Sequence, residues 1–212
     1  MTTLTGQQIA GERLTGWAYL LGGLHTRVRT GDFATGVSVV TAIGAAAEKL
    51  GHHPDVNLRH DHVDVRVTSH DARGVTERDV RLARAIGSIA EDAGLAWESA
   101  TVSRLELALD TPDHEAVSPF WAAVFAMEPG DGEIRDPADS LPVVWFQASG
   151  GEEPRQRWHP DVWVEPAQVQ PRIDAALAAG GTLVSDAAAP NFWVLADPEG
   201  NRVCLCTWQD RD

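Results

Sequence analysis

The amino-acid sequence predicts an α+β chain of two domains, and three observations predict it. Val63, Val65 and Val67 alternate with Asp64, Arg66 and Thr68, the period of a strand with one buried face. Phe33, Val37, Val40, Ile43, Ala47 and Leu50 recur at steps of three and four, the period of a helix turning one apolar stripe to a core. The second half runs twice through a strand, a helix and further strands, which points to an internal structural duplication.

Composition also separates the halves. Residues 1–100 carry 10 Lys and Arg against 12 Asp and Glu, and residues 101–212 carry 7 against 19. Six of the eight histidines precede residue 71, and seven of the eight tryptophans follow residue 96. The net charge of −14 argues against nucleic acid or an anionic membrane as a main partner. Cys204 and Cys206, two apart, would share one strand face and are poorly placed to bond to each other. A reducing cytoplasm is therefore the expected setting. The N-terminus lacks the basic and apolar regions of a signal peptide, and no apolar run approaches the roughly 20 residues of a membrane span.

In the first domain, residues 5–14 read as a short helix broken by Gly16. Residues 17–21 and 24–29 read as a hairpin turned at Gly22-Gly23. Asp32 can cap the next helix, Gly51 is its expected stop, and Pro54 forbids continuation. His52 and His53 are thereby held just past a packed helix end. Residues 56–60 and 63–68 are the next strands, and His70 would share a face with His60 and His62 if the second strand persists. Thr76-Glu77-Arg78-Asp79 looks like a capping box opening a third helix, with Ile86, Ile89, Ala90 and Ala93 as its buried stripe. The order α-β-β-α-β-β-α implies an antiparallel sheet with helices over one face.

Paired loop histidines are ordinarily solvated, but three imidazoles brought together suit a reaction needing both an acid and a base. Glu48-x-x-x-His52-His53-Pro54, Thr68-Ser69-His70 and Gly74-Val75-Thr76-Glu77-Arg78-Asp79, with Leu82-Ala83, Gly16-Trp17 and Asp32-Phe33, resemble pterin-4a-carbinolamine dehydratase over nearly all of residues 4–95. The resemblance implies dehydration of a 4a-hydroxytetrahydropterin to the quinonoid dihydropterin, as in tetrahydrobiopterin-type cofactor recycling. It implies no metal or bound cofactor, and a homo-oligomer, dimer or tetramer. By position it implies His52, His53 and His70 as the active-site histidines, with Glu48, Asp79 and His60 supporting. Glu48, one helical turn before His52, is placed to raise an imidazole pKa. Two positions depart from the family pattern: His60 stands where an aromatic is usual, and Gly51 where an acidic or polar residue is common.

In the second domain, residues 105–109, 141–148, 158–164, 182–184, 192–195 and 203–207 read as strands, and 113–125 and 166–179 as helices. Asp197-Pro198-Glu199-Gly200-Asn201 is a turn signature. With Phe120-Trp121 and His159-Pro160-Asp161, it resembles the glyoxalase-like, vicinal-oxygen-chelate superfamily, which implies paired βαβββ modules. By position that superfamily's metal ligands would be Glu106, Gln147, His159 and Cys204. Thiolate beside carboxylate and amide oxygen is a mixed soft and hard set, so a metal-free cup of Glu106, His159, Asp161, Trp163, Cys204 and Trp208 is expected instead. The tryptophans equally suit a core.

The expected domains are residues 1–97 and 103–209. The leading reading is a dehydratase acting on a small-molecule pterin through the first domain. Two others stay open: a glyoxalase-type enzyme or small-molecule binder acting through the second domain, and a non-enzymatic pterin-binding or dimerisation module.

Overall fold

The structure, a computed structural model, describes residues 2–98, 102, 106–148, 160–163, 166–206 and 210. It divides into two compact units, Met1–Arg104 and Leu105–Asp212.

In the first unit, α1 (Gly6–Gly11) opens on a capping box in which Thr5 and Gln8 satisfy each other's backbone N–H. Strands β1 (Ala18–Leu20) and β2 (Gly23–Arg29) form an antiparallel hairpin. Its two turn residues are Leu21 and Gly22, both at positive φ, so the turn lies one residue before the expected Gly22-Gly23. Helix α2 (Phe33–Leu50) follows the N-cap Asp32. Strands β3 (Asp55–Leu58) and β4 (His62–Val67) come next, then α3 (Glu77–Asp92) and the short β5 (Ala96–Trp97). The sheet order is β1-β2-β4-β3, with β5 also pairing with β2.

Val63, Val65 and Val67 are all buried against the helices, each stabilising by about 1.5–3 kcal/mol through burial. The even positions of β4 carry polar pairs on the other face: Asp64 holds Arg27, and Arg66 reaches Asp55. Ile43 and Ala47 of the expected α2 stripe are buried and Val40 packs partly against the core, but the rest of the buried face differs. Gly36, Val39, Ile43 and Ala47 face the core, while Phe33, Val37 and Leu50 are exposed. The helix is apolar on most sides, so a three-and-four pattern fits more than one face, and the close approach at Gly36 decides between them. A Cβ there would lie 2.5 Å from Leu58 Cδ1. In α3, Ile86 and Ala90 are buried as expected, but Ala93 is the exposed C-cap.

At 18 residues, α2 is long and apolar enough on average to cross a membrane, although its sequence contains no long run of large apolar residues. Alanine, glycine and valine raise the average, and its Asp32 cap, Gly51 stop and sheet-packed face are those of a helix covering a sheet.

The second unit contains two βαβββ halves. The first comprises β6 (Glu106–Thr111), α4 (His114–Phe125), β7 (Glu128–Pro129), β8 (Glu133–Arg135) and β9 (Val143–Ala148). The second comprises β10 (Asp161–Trp163), α5 (Pro166–Ala178), β11 (Thr182–Ser185), β12 (Phe192–Ala196) and β13 (Arg202–Cys206). In each half the first strand pairs in parallel with the last, and the other three form an antiparallel meander. The duplication expected from the sequence is thus present strand for strand. Between α4 and β9, where the sequence predicts no strand, lie β7 and β8, too short to show alternation.

One core spans both halves, with Phe120, Trp121, Leu195 and Leu205 fully buried. Trp121 is therefore core. Its indole N–H donates to Asp197 Oδ2, and Asp197 also accepts from Glu199 N and Asn201 N. The Asp-Pro-Glu-Gly-Asn turn is a hydrogen-bonded anchor for that tryptophan.

Candidate active site

Three chain segments meet at one end of the first unit: the C-terminus of α2, the stretch after β4 and the first turn of α3. Gly51 ends α2 in the left-handed conformation, φ 60°, which glycine adopts without the Cβ penalty of other residues. The amide of His52 then donates to Ala47 O, so the backbone entering the histidine pair belongs to the helix cap. Beyond β4, Ser69 and Gly74 exchange backbone hydrogen bonds and close a tight loop.

Asp79 joins these segments. It is the third residue of α3 and is fully buried. Its Oδ1 lies 2.7 Å from His52 Nε2. Its Oδ2 accepts from Thr76 N at 2.7 Å, Thr76 Oγ1 at 2.9 Å and Ser69 Oγ at 2.7 Å. One carboxylate thus caps α3, pins the residue before His70 and holds His52. Taken as a carboxylate, which can only accept, Asp79 assigns the hydrogen of this bond to His52 Nε2. With His52 also buried, this is a charge-assisted hydrogen bond sheltered from water.

The other two histidines differ. His53 is exposed, and its Nε2 lies 3.0 Å from Glu48 Oε1. Glu48 therefore pairs with His53 and not with His52. His70 is exposed on the Ser69–Gly74 loop. The strand ends at Val67, so His70 does not share a strand face with His60 and His62.

His60 is placed apart. It lies on the turn between β3 and β4, near Asp32. Asp32 is lowered from its ordinary carboxyl pKa chiefly by the backbone and side-chain hydrogen bonds of Thr35, with a smaller contribution from the charge of His60. Asp32 caps the start of α2 and His52 follows its end, about 27 Å apart at 1.5 Å per residue. His62 pairs instead with Asp61, through Nδ1 at 2.7 Å.

Ser69 and Thr76 are members of the site to which the sequence assigns no part in it, Thr76 being expected only as a helix cap. Both hydroxyls contact Asp79, and they lie 2.9 Å from each other. Their signal was the capping box: an acidic residue three after a threonine is expected to turn back on the helix start.

Of the second-unit residues, His159 and Trp208 lie outside the described residues, as do the side chains of Glu106, Gln147, Asp161 and Trp163. Cys204 is a buried cysteine on β13, and its backbone is in register with Asp161 on β10. Among the described residues, no group of three or more His, Cys, Asp and Glu is arranged to hold a metal.

Fold and site together define an α+β domain with a histidine-bearing helix junction, joined to a duplicated βαβββ domain. Residues 2–89 match the family described as pterin 4 alpha carbinolamine dehydratase, and residues 106–206 match the glyoxalase-like domain. A protein of Aquifex aeolicus, provisionally named pterin-4-alpha-carbinolamine dehydratase, is 36% identical over 81 residues, 38% of this chain and 82% of its own length. One of Mycolicibacterium smegmatis with the same provisional name is 34% identical over 94 residues, 43% of this chain and 100% of its own. Among solved structures, the transcriptional coactivator/pterin dehydratase from Brucella melitensis aligns at 30% identity and TM-score 0.41, over 42% of this chain and 99% of its own. A glyoxalase/bleomycin resistance protein from Albidiferax ferrireducens aligns at 18% identity and TM-score 0.37, over 48% and 95%. The chain belongs to the pterin-4a-carbinolamine dehydratase family and carries a glyoxalase-like domain after it.

Proposed function

We propose that the first unit dehydrates a 4a-hydroxytetrahydropterin by histidine acid–base catalysis. The observation that carries this reading is the buried Asp79 carboxylate, which binds His52 directly and Ser69, the neighbour of His70, in the same place. One anchor therefore sets all three histidines at one end of the domain.

In the reaction, a neutral imidazole removes the proton on N5 and an imidazolium protonates the 4a-hydroxyl. The C4a–O bond breaks, water departs, and the N5 electron pair forms the C4a=N5 bond. Each proton transfer typically contributes about 10²–10⁴-fold. His53 and His70 are exposed and are assigned to the pterin. His52, buried and bonded to Asp79, is assigned the orienting role, fixing the backbone from which His53 projects. Glu48 is assigned to His53, whose ring it orients through the contact at Nε2.

The experiment follows decay of a chemically generated 4a-carbinolamine. The wild type is expected to exceed the buffer rate, and His53→Ala to lose most of that excess. A wild type no faster than buffer overturns the assignment.

Self-association as a dimer or tetramer belongs to the same proposal. The exposed Phe33, Val37 and Leu50 on α2 supply an apolar face that favours it, and light scattering on the purified chain tests it. A reducing, cytoplasmic setting is part of the same proposal.

A further inference from the structure

We infer that Arg78 and Asp71 are positioning residues that hold His70 for the dehydration proposed above; the inference rests on that reading. His70 lies between two anchored neighbours. On one side, the Ser69 hydroxyl donates to Asp79 Oδ2. On the other, the Asp71 carboxylate accepts from Arg78 Nη2. The two anchors, Arg78 and Asp79, are consecutive residues in the first turn of α3.

The geometry makes this more than a surface ion pair. Arg78 keeps only about a quarter of its side chain exposed, and its Nε is buried without a hydrogen-bond partner among the described residues. A solvated surface arginine would satisfy that nitrogen with water. Arg78 instead gives up solvation to present its outer nitrogen to Asp71. The loop it clamps is short and doubly closed: Ser69 and Gly74 pair through their backbones, and the Arg73 amide donates to the His70 carbonyl. Arg73 takes the left-handed conformation, φ 51°, which carries a steric cost for a residue with a Cβ. Fixing the residue on each side restricts where the His70 backbone, and hence its ring, can go. Acid–base transfer requires heavy atoms within about 2.6–3.2 Å, and displacement by about 1 Å can cost 10²-fold.

The pair is exposed on the Asp71 side, where ion pairs add little to stability. Its removal should therefore act on turnover more than on folding. Asp71→Asn and Arg78→Gln are each expected to lower kcat about tenfold with KM unchanged within twofold, and Arg78→Lys to recover part of the loss. In a His70→Ala background, Asp71→Asn should change kcat by less than twofold. In a His53→Ala background it should still cost about tenfold.

A second readout needs no turnover. The amide heteronuclear NOE of His70 should fall in Asp71→Asn while the His52 resonances stay in place. An unchanged His70 NOE overturns the clamp, as does a loss of kcat equal with and without His70. If the wild type shows no dehydration, the functional proposal fails instead, and the NOE still decides whether the clamp exists.

Discussion

Replacing Asp79 with asparagine changes one atom type at the point where four donors converge. Thr76 N, Thr76 Oγ1, Ser69 Oγ and His52 Nε2 all rely on this buried carboxylate. Asparagine keeps one acceptor oxygen and brings an NH2 donor. The oxygen is expected to stay with Thr76 N and the hydroxyls, since those bonds cap α3. The NH2 then faces His52, which can answer only as an acceptor, so its proton moves from Nε2 to Nδ1. Exchanging a charge-assisted bond for a neutral one costs about 1–2 kcal/mol. For a unit of about 100 residues, that is roughly a 4–16 °C fall in Tm. Asp79→Ala is worse. Ser69 and Thr76 can bond to each other across 2.9 Å, but Thr76 N and His52 Nε2 are orphaned, at about 1–3 kcal/mol each. Nitrogen-15 NMR of the His52 ring reads the tautomer, thermal unfolding reads the stability, and carbinolamine decay reads the activity. Asp79→Asn should show the swapped tautomer and a fall in kcat of about 10² or more. An Asp79→Asn protein with the original tautomer and full activity would refute the reasoning.

The remaining predictions concern other parts of the molecule. His60→Tyr should leave kcat and KM within twofold of wild type in the same assay, because His60 lies beside Asp32 at the far end of α2. Gly181→Ala places a Cβ 2.1 Å from Phe120 Cε2 and 3.0 Å from Ala176 O. It should destabilise the second unit by about 1–3 kcal/mol in urea titration and leave dehydration intact. Hydrogen bonds from Arg78 to Asp71 and from His62 to Asp61 are the main causes holding these carboxyls below the usual 3.8. Carboxyls lowered on folding contribute stability that is complete above the unfolded pKa and lost as pH falls through the folded one. Urea midpoints should therefore drop below about pH 4, and less steeply in Asp61→Asn and Asp71→Asn variants.

Local rules reached much of this structure. Gly51 as a helix stop, the capping box at Thr76 and the buried valines of β4 each follow from a single turn or strand, and each is present. The duplicated second unit was legible because two copies of one pattern reinforce each other. What escaped depended on contacts between distant segments. Nothing within α2 distinguishes Phe33, Val37 and Leu50 from Gly36 and Val39 as the residues that join Ile43 and Ala47 in the core; the choice is made by Leu58 on β3. The bond between His52 and Asp79 spans 27 residues, and spacing could not say which histidine would take the carboxylate and which would pair with Glu48. Position 60 carried the family pattern to a residue that the fold sets at the opposite end of the helix.

The most direct test is the pH–rate profile of carbinolamine dehydration for the wild type, His53→Ala and His70→Ala. Two imidazoles working as acid and base predict a wild-type kcat that is bell-shaped around neutral pH, with each variant losing about 10² or more in rate and one limb of the bell. A wild type that does not exceed buffer, or variants that keep its rate and both limbs, would contradict histidine acid–base catalysis at this site.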